Sequence, residues 1–254
     1  QVDFHPGGSL AIPTADEDAA RIAQFIRSQG SNIKEITVTL DTHASYDISH
    51  PEFWVDSEGS RPPPFTIIKS SDVEAGVWRP AKPDLQEHCV EYTKYLEEGG
   101  RFAHCIWPEH CIKGSSGHEV VAVIAAALED WSKASGVAVQ YVEKGENALT
   151  EHFSAFRAEK PISSCPGTQL NTTLLSQLAK ADRVYVCGQA LSHCVNYSMR
   201  DLAEFWGGLE GCKMEELVLL KDGASAVPGF EEAAKSFVAD MAKIGCKVVT
   251  CAEV

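Results

Sequence analysis

One cysteine stands where the local sequence could make a thiol reactive. Residues 184–187 form a strand-like run, Gly188 follows as a tight turn, and a helical pattern begins near Ser192, so Cys194 falls in a predicted first helical turn. Unpaired backbone N–H groups and the helix dipole favour a thiolate there and can bind an oxyanion. The position suits a nucleophile, although a lone cysteine near a helix start is more often unreactive. The adjacent His193 points about 100° away on a helix, which predicts a structural role for it.

Three other polar residues stand at the ends of predicted strands. Asp41 and His43 lie two positions apart after the strand predicted at 33–40, so their side chains leave on the same side. A carboxylate together with imidazoles suits Zn²⁺ or Fe(II). Lys144 ends a strand pattern that we expect to be buried, where an ammonium is costly unless it is paired. The alternatives are a solvated loop pair for the first two residues and a surface lysine for the third.

The elements that must position these residues alternate along the chain. Short β-branched runs predict strands, which we place at 33–40, 137–142, 183–187, 216–220 and 247–250. Apolar periodicity predicts helices, which we place at 15–28, 85–97, 118–134, 168–179, 192–206 and 230–244. The alternation predicts a doubly wound, three-layer α/β fold, in which a parallel β-sheet is flanked by helices on both faces. Ligands bind beyond the carboxyl ends of the strands in such sheets.

The region after the first predicted strand differs from the rest of the chain. The stretch 41–83 has little periodicity and much proline, serine and aspartate. We therefore predict a single domain over 1–254 with an inserted loop region at about 44–100. Ordered loops of this length are usually functional.

Composition restricts the class of protein and its partners. The chain has 254 residues and a formal net charge of −14, so we expect no nucleic-acid partner and no anionic membrane. Its apolar runs are far shorter than the roughly 20 residues of a membrane span, and no secretory leader opens the sequence. Nine scattered cysteines fit neither a disulfide framework nor a zinc ribbon. We expect a cytoplasmic protein that could form a homo-oligomer.

Several segments, in order along the chain, resemble one enzyme family. Cys187–Val195 resembles the nucleophile turn of the isochorismatase-like cysteine hydrolases, and the other segments resemble nicotinamidases in particular. These are Gln1–Phe4 with Gly7–Leu10 (the opening strand and loop), Asp41–His43 (Asp-x-His), Trp107–Cys111 with Gly114 and Gly117 (Trp-Pro-x-His-Cys), and Tyr141–Gly145 (the strand ending in Lys-Gly). The longer stretch between 41 and 107 departs from the family pattern.

The resemblance implies a role for each matching catalytic position. Cys194 would be the nucleophile, and Lys144 would pair with a carboxylate and stabilise the thiolate and the developing oxyanion. The backbone N–H groups of Ala190 and Cys194 would bind that oxyanion. The family carries a cis peptide at the position of Gln189–Ala190, which aims the amide inward.

The resemblance also implies a metal site and a substrate slot. Asp41, His43 and His110 would hold one divalent metal, Zn²⁺ or Fe(II), with open positions for water and substrate. His50 is either a fourth ligand or an exposed loop residue. Phe4 and Trp107 would be the walls between which a flat heteroaromatic ring stacks, or would be ordinary core residues.

The activity implied is metal-assisted deamidation of nicotinamide to nicotinate and ammonia through a thioester. A related amidase or ureidohydrolase acting on another small amide is the first alternative, and a catalytically silent binding protein of the same fold is the second. The catalytic Asp of the family lies two residues before the position of Gln1, so we expect it in a preceding segment unless the base is missing. Asp3 would lie roughly 13 Å from that place along an extended strand and cannot replace it.

Overall fold

The computed structural model describes residues 1–99 and 102–254. In chain order the helices and strands are α1 (Ala15–Gln29), β1 (Thr37–Asp41), β2 (Trp54–Val55), β3 (Ile67–Ile68), α2 (Ser70–Glu74), β4 (Arg79–Pro80), α3 (Gln86–Gly99), β5 (His104–Cys105), α4 (Ala122–Ser135), β6 (Gln140–Lys144), α5 (Thr172–Leu178), β7 (Val184–Val186), α6 (Cys194–Gly207), β8 (Leu217–Leu220), α7 (Glu231–Lys243) and β9 (Lys247–Val249). No helix in these ranges is long and apolar enough to cross a membrane.

The longer strands pair in parallel, as predicted. Strand β1 pairs with β6, and β8 pairs with β7 on one side and β9 on the other. Residues of both β1 and β7 line a cavity of about 1340 Å³. The parallel strands therefore form two hydrogen-bonded groups within the described ranges.

Helices cover both faces of the strands. Along β8, Leu217 and Leu219 pack with α5, α6 and α7, whereas Val218 and Leu220 pack with Phe25 of α1. All four β8 side chains are buried, because adjacent strand residues point to opposite faces and each face has a helical cover. Together with the parallel pairing, this confirms the predicted α/β fold class.

Several predicted boundaries differ from the structure. Residues 2–4, expected to be strand, form a 3-10 helix closed by the local bonds Phe4 N to Gln1 O and His5 N to Val2 O. Helix α4 begins at Ala122 rather than 118 because residues 116–118 form a separate 3-10 turn. Strand β6 pairs only with β1 in the described ranges, and most of its side chains are exposed or half-buried. The expectation that Lys144 ends a buried strand was therefore wrong for the strand, although Lys144 itself is buried.

The region at 44–100 contains short strands and helices with a core of their own. Ile48, Phe53 and Trp54 pack against Tyr92 of α3 and Ile68 of β3, and all five side chains are buried. The antiparallel pairs β2–β4 and β3–β5 complete this region. Its core anchors the segment 47–50, which contributes side chains to the candidate site.

Candidate active site

Cys194 is the first residue of α6, so it lies in a first helical turn as predicted. The strand β7 leads to it through Gly188, whose φ of 111° is one that side chains rarely allow. The Gln189–Ala190 peptide is cis, as the resemblance implies. Within the described ranges, the N–H groups of Ala190 and Cys194 donate no hydrogen bond to the backbone outside the helices and strands. Both are therefore available to a developing oxyanion.

Two effects act in opposite directions on the thiol. Burial raises the pKa of the Cys194 thiol, and the nearby charge of Lys144 lowers it. Loss of hydration thus opposes the thiolate that the helix start favours. A base must take the proton before or during attack. Cys194 and Phe4 both line the cavity that residues of β1 and β7 also line.

Lys144 is the last residue of β6 and lies directly beside Asp41, the last residue of β1, in the strand register. Its Nζ donates to Asp41 Oδ1 at 2.9 Å and to the His152 carbonyl at 2.7 Å. Burial alone would lower the pKa of Lys144, but the Asp41 carboxylate raises it, so the ammonium stays charged. The side chain is only 4% exposed, so the alternative of a surface lysine is wrong.

Three imidazoles meet beside the same carboxylate. Ligand atoms of His43, His50 and His110 lie within 4.8 Å of one another, and all three side chains are buried. His43 Nε2 is 3.2 Å from Asp41 Oδ1, and His110 Nε2 is 3.5 Å from Asp41 Oδ2. The structure thus brings together the predicted set Asp41, His43 and His110, and adds His50, which is fully buried rather than exposed.

The donor set fits a divalent metal such as zinc. His43 Nδ1 lies 3.2 Å from Asp47 Oδ2, and His110 Nδ1 lies 2.9 Å from the Pro108 carbonyl. Both contacts favour a proton on Nδ1 and leave the Nε2 lone pair facing Asp41. His43 Nε2 is buried without a hydrogen-bond partner, and coordination of a metal ion by this nitrogen would explain why. Burial lowers the pKa of His50 to about 3, so this third ring is neutral and able to ligate.

The aromatic residues predicted as substrate walls are both buried. The ring centroids of Phe4 and His110 lie 5.7 Å apart in an edge-on arrangement, so Phe4 is next to the imidazole cluster. Trp107 packs at 5.1 Å against His193 and at 5.7 Å against Phe230. Phe4 and Trp107 belong to one apolar cluster that also contains Ala190. The two walls therefore lie near each other and near the oxyanion position.

His193 occupies the N-cap position of α6, and its side chain makes no capping hydrogen bond to the helix. Its Nδ1 lies 2.8 Å from Ser192 Oγ, which accepts the Val227 N–H. Burial lowers the pKa of His193 to about 3, so the ring is neutral. These contacts agree with the structural role predicted from its direction on the helix.

Sequence reasoning missed two acidic residues around the site. Asp47 orients His43 and is itself fixed by Ser49, whose N–H and Oγ–H both donate to Asp47 Oδ1. Burial raises the pKa of Glu151 to about 7, and one of its carboxylate oxygens is buried without a partner. Glu151 precedes His152, whose carbonyl binds Lys144. Neither acid belongs to a sequence motif or a periodic pattern that would have predicted a role in the site.

The comparisons with known proteins agree with this geometry. No family model matches the chain. The chain is 27% identical over 205 residues to the nicotinamidase of Saccharomyces cerevisiae, covering 80% of this chain and 78% of that protein. It resembles the structure of the yeast nicotinamidase bound to the inhibitor nicotinaldehyde, with a TM-score of 0.65, 21% identity and 98% and 95% of the two chains covered.

A second solved structure is similar over the same extent. It is the pyrazinamidase of Pyrococcus horikoshii in complex with zinc, with a TM-score of 0.57, 21% identity and 98% and 94% of the two chains covered. The likeness extends over nearly the whole of each solved chain and is found in both sequence and structure. The chain therefore has the isochorismatase-like α/β fold of these solved structures, and its sequence is similar to that of the yeast nicotinamidase.

Proposed function

We propose that this protein hydrolyses the carboxamide of nicotinamide, giving nicotinate and ammonia. The observation that carries the proposal is a continuous set of contacts. Lys144 lowers the pKa of the Cys194 thiol and also binds Asp41, and Asp41 in turn lies against His43 and His110. A thiol, a charged lysine and a metal-ligand cluster are thus connected through one buried ion pair. The sequence and structural relatives are nicotinamidases and a pyrazinamidase.

The nucleophilic step belongs to Cys194. Its sulfur attacks the carboxamide carbon, the C–N bond breaks as ammonia leaves, and a thioester forms. Water then cleaves the thioester, which releases the carboxylate and restores the thiol. The proton lost by the thiol is carried to the leaving ammonia by a base, which the family resemblance places two residues before Gln1.

Oxyanion stabilisation belongs to the turn before α6 and to Lys144. The N–H groups of Ala190 and Cys194 stand on either side of the turn that carries the thiol. Lys144 is held in place by two hydrogen bonds and stays charged. Fixed donors of this kind stabilise the charge that develops on the carbonyl oxygen.

Asp41, His43 and His110, with His50 beside them, would hold a divalent metal. Such a metal would act as a Lewis acid and hold the pyridine nitrogen of the substrate or water near the reacting group. Phe4 lies against His110, so a ring that reaches the metal would also contact Phe4. In this proposal the substrate ring would lie between the imidazole cluster and the thiol.

Ammonia release from nicotinamide tests the proposal. The full-length protein is assayed with nicotinamide, pyrazinamide and an aliphatic amide, before and after removal of metal by a chelator. We expect turnover of the two aromatic amides, loss of turnover on chelation, and recovery with Zn²⁺ or Fe(II).

The matched control is Cys165→Ala, which removes another partly exposed thiol, and it should keep full activity whereas Cys194→Ala should have none. Hydrolysis of an aliphatic or ureido substrate with nicotinamide untouched would retain the nucleophile and reject the nicotinamidase activity. Binding of nicotinamide without any turnover would instead support a silent binding protein.

A further inference from the structure

Asp3 connects the opening segment of the chain to the loop that carries His110. Its Oδ2 accepts a hydrogen bond from the Cys111 N–H at 2.7 Å. Its backbone carbonyl accepts from Leu10 N–H at 3.0 Å, so the same residue also closes the loop after the opening 3-10 helix. One residue thus fixes two segments that are more than 100 positions apart.

The bond to Cys111 holds a backbone conformation that a non-glycine residue rarely adopts. Cys111 has φ of 50°, and its side chain is fully buried. Left-handed residues with a Cβ cost free energy and persist only where their surroundings fix them. Asp3 supplies such a contact, because its carboxylate accepts from the N–H of this residue.

The backbone of Cys111 connects to two candidate metal ligands. Its nitrogen is bonded to the preceding residue, His110, and its carbonyl accepts a hydrogen bond from the His43 N–H at 3.0 Å. His43 and Ile112 then form a parallel bridge, and Lys113 N–H donates back to the His43 carbonyl at 2.9 Å. A displacement of the Cys111 peptide would therefore move His43 and His110 together.

Two glycines lie close against Asp3. A Cβ built on Gly117 would lie 2.5 Å from Asp3 Oδ1, far inside contact distance. A Cβ on Gly8 would lie 2.5 Å from Asp3 Cα. Two glycines thus allow Asp3 to approach the Cys111 amide, and any side chain at 117 would push the carboxylate off it.

We propose that Asp3 is a positioning residue for the metal site: its carboxylate fixes the Cys111 peptide and so aims His43 and His110 at Asp41. The inference rests on the proposed function, since that function requires a metal at this cluster. The neighbouring Phe4 lies against the His110 ring. Asp3 itself touches neither substrate nor metal in this proposal.

Zinc affinity of the metal-free protein tests this role without any turnover. Titration with Zn²⁺ should show that Asp3→Ala weakens binding by about tenfold or more, the size expected when a residue that orients a ligand is lost. Asp3→Asn should remain within about threefold of wild type, because its amide oxygen can still accept the Cys111 N–H. Asp16→Ala, an exposed aspartate of the same part of the chain that pairs with His5, is the control and should change nothing.

A double-mutant cycle with Gly117→Ala separates a specific contact from general damage. Gly117→Ala should weaken zinc binding in the wild-type background and much less in the Asp3→Ala background, because the clashing carboxylate is then gone. Gly167→Ala, where the added Cβ meets open space, is the control. Wild-type zinc affinity in Asp3→Ala, or additive effects in the cycle, would overturn the inference.

The same measurements distinguish this inference from the proposed activity. A wild-type protein that hydrolyses nicotinamide but binds no zinc would refute the positioning role and keep the hydrolase. Zinc binding that depends on Asp3, in a protein that does not hydrolyse nicotinamide, would keep the positioning role and refute the activity.

Discussion

Replacing Lys144 by Met removes the cation that joins the candidate metal ligands to the thiol. The change leaves the buried Asp41 carboxylate without its 2.9 Å partner and the His152 carbonyl without its donor. Removing one member of a buried ion pair costs about 3–5 kcal/mol. We expect the lower end of that range, because in the metal-free protein the Asp41 carboxylate raises the pKa of His43 against the effect of burial, so a proton on His43 Nε2, 3.2 Å from Asp41 Oδ1, can replace part of the lost charge.

Urea unfolding measures this cost directly. In chelator-treated protein, Lys144→Met should lower the free energy of unfolding by about 3 kcal/mol. Adding Zn²⁺ should restore part of the loss, since a cation bound by Asp41, His43 and His110 neutralises the same carboxylate and stabilises the folded state by mass action. Nicotinamide hydrolysis should fall by about 100-fold or more, because a fixed cation no longer supports the thiolate and the oxyanion.

Lys113→Met is the matched control for this prediction. Lys113 also lies near the site and pairs with Glu143 and Glu146, but its side chain is 58% exposed, so solvent screens both pairs. Its loss should leave stability and activity near wild type. If Lys144→Met were as stable as Lys113→Met, the buried pair would not hold the two strand ends together, and the reasoning would be refuted.

Three further predictions follow from the same contacts. Cys194→Ala should abolish hydrolysis and leave the unfolding midpoint near wild type; residual turnover above background would exclude Cys194 as the nucleophile. Trp107→Phe should raise KM several-fold, by about 1 kcal/mol of lost stacking, with kcat little changed, whereas Trp131→Phe, equally buried at 4%, should leave KM unchanged. Glu151→Gln should stabilise the metal-free protein by about 2 kcal/mol more at pH 8 than at pH 5. The folded-state pKa of Glu151, about 7, lies above the ordinary 4.5, so the stability that the protonated acid provides is lost as pH rises through 7. Equal gains in the free energy of unfolding at both pH values would contradict this.

The fold was predictable where the pattern of apolar residues is strong. The strands β7 and β8 and the helices α1, α6 and α7 fall within two residues of their predicted bounds, because each buries a regular apolar face. The opening segment was not predictable as a 3-10 helix. Its hydrogen bonds to the loop at 111–119 join residues more than 100 positions apart, and the local pattern does not reveal them.

The candidate site was predictable only in part, and the reason is physical. Asp41, His43, Lys144 and Cys194 stand at strand ends or at a helix start, so their direction follows from local structure. The Glu151 carboxylate and the Asp47 carboxylate lie in irregular segments, where neither period nor spacing sets a direction. The effect of burial on the pKa of Cys194 could not be predicted, because the depth of burial is a property of the packed fold and cannot be obtained from position in a helix.

The two oxygens of Asp41 explain why the thiol and the imidazole cluster should act together. Oδ1 accepts from Lys144 and lies near His43, while Oδ2 faces His110. A cation at the cluster would draw charge from the same carboxylate that holds Lys144, so it would weaken the pull of Asp41 on that ammonium. Asp41 would then neutralise the Lys144 charge less completely. The Lys144 ammonium would lower the pKa of Cys194 more strongly, against the effect of burial, which raises it. A metal bound at the cluster would thereby be coupled to Cys194 through one buried carboxylate without contacting the sulfur.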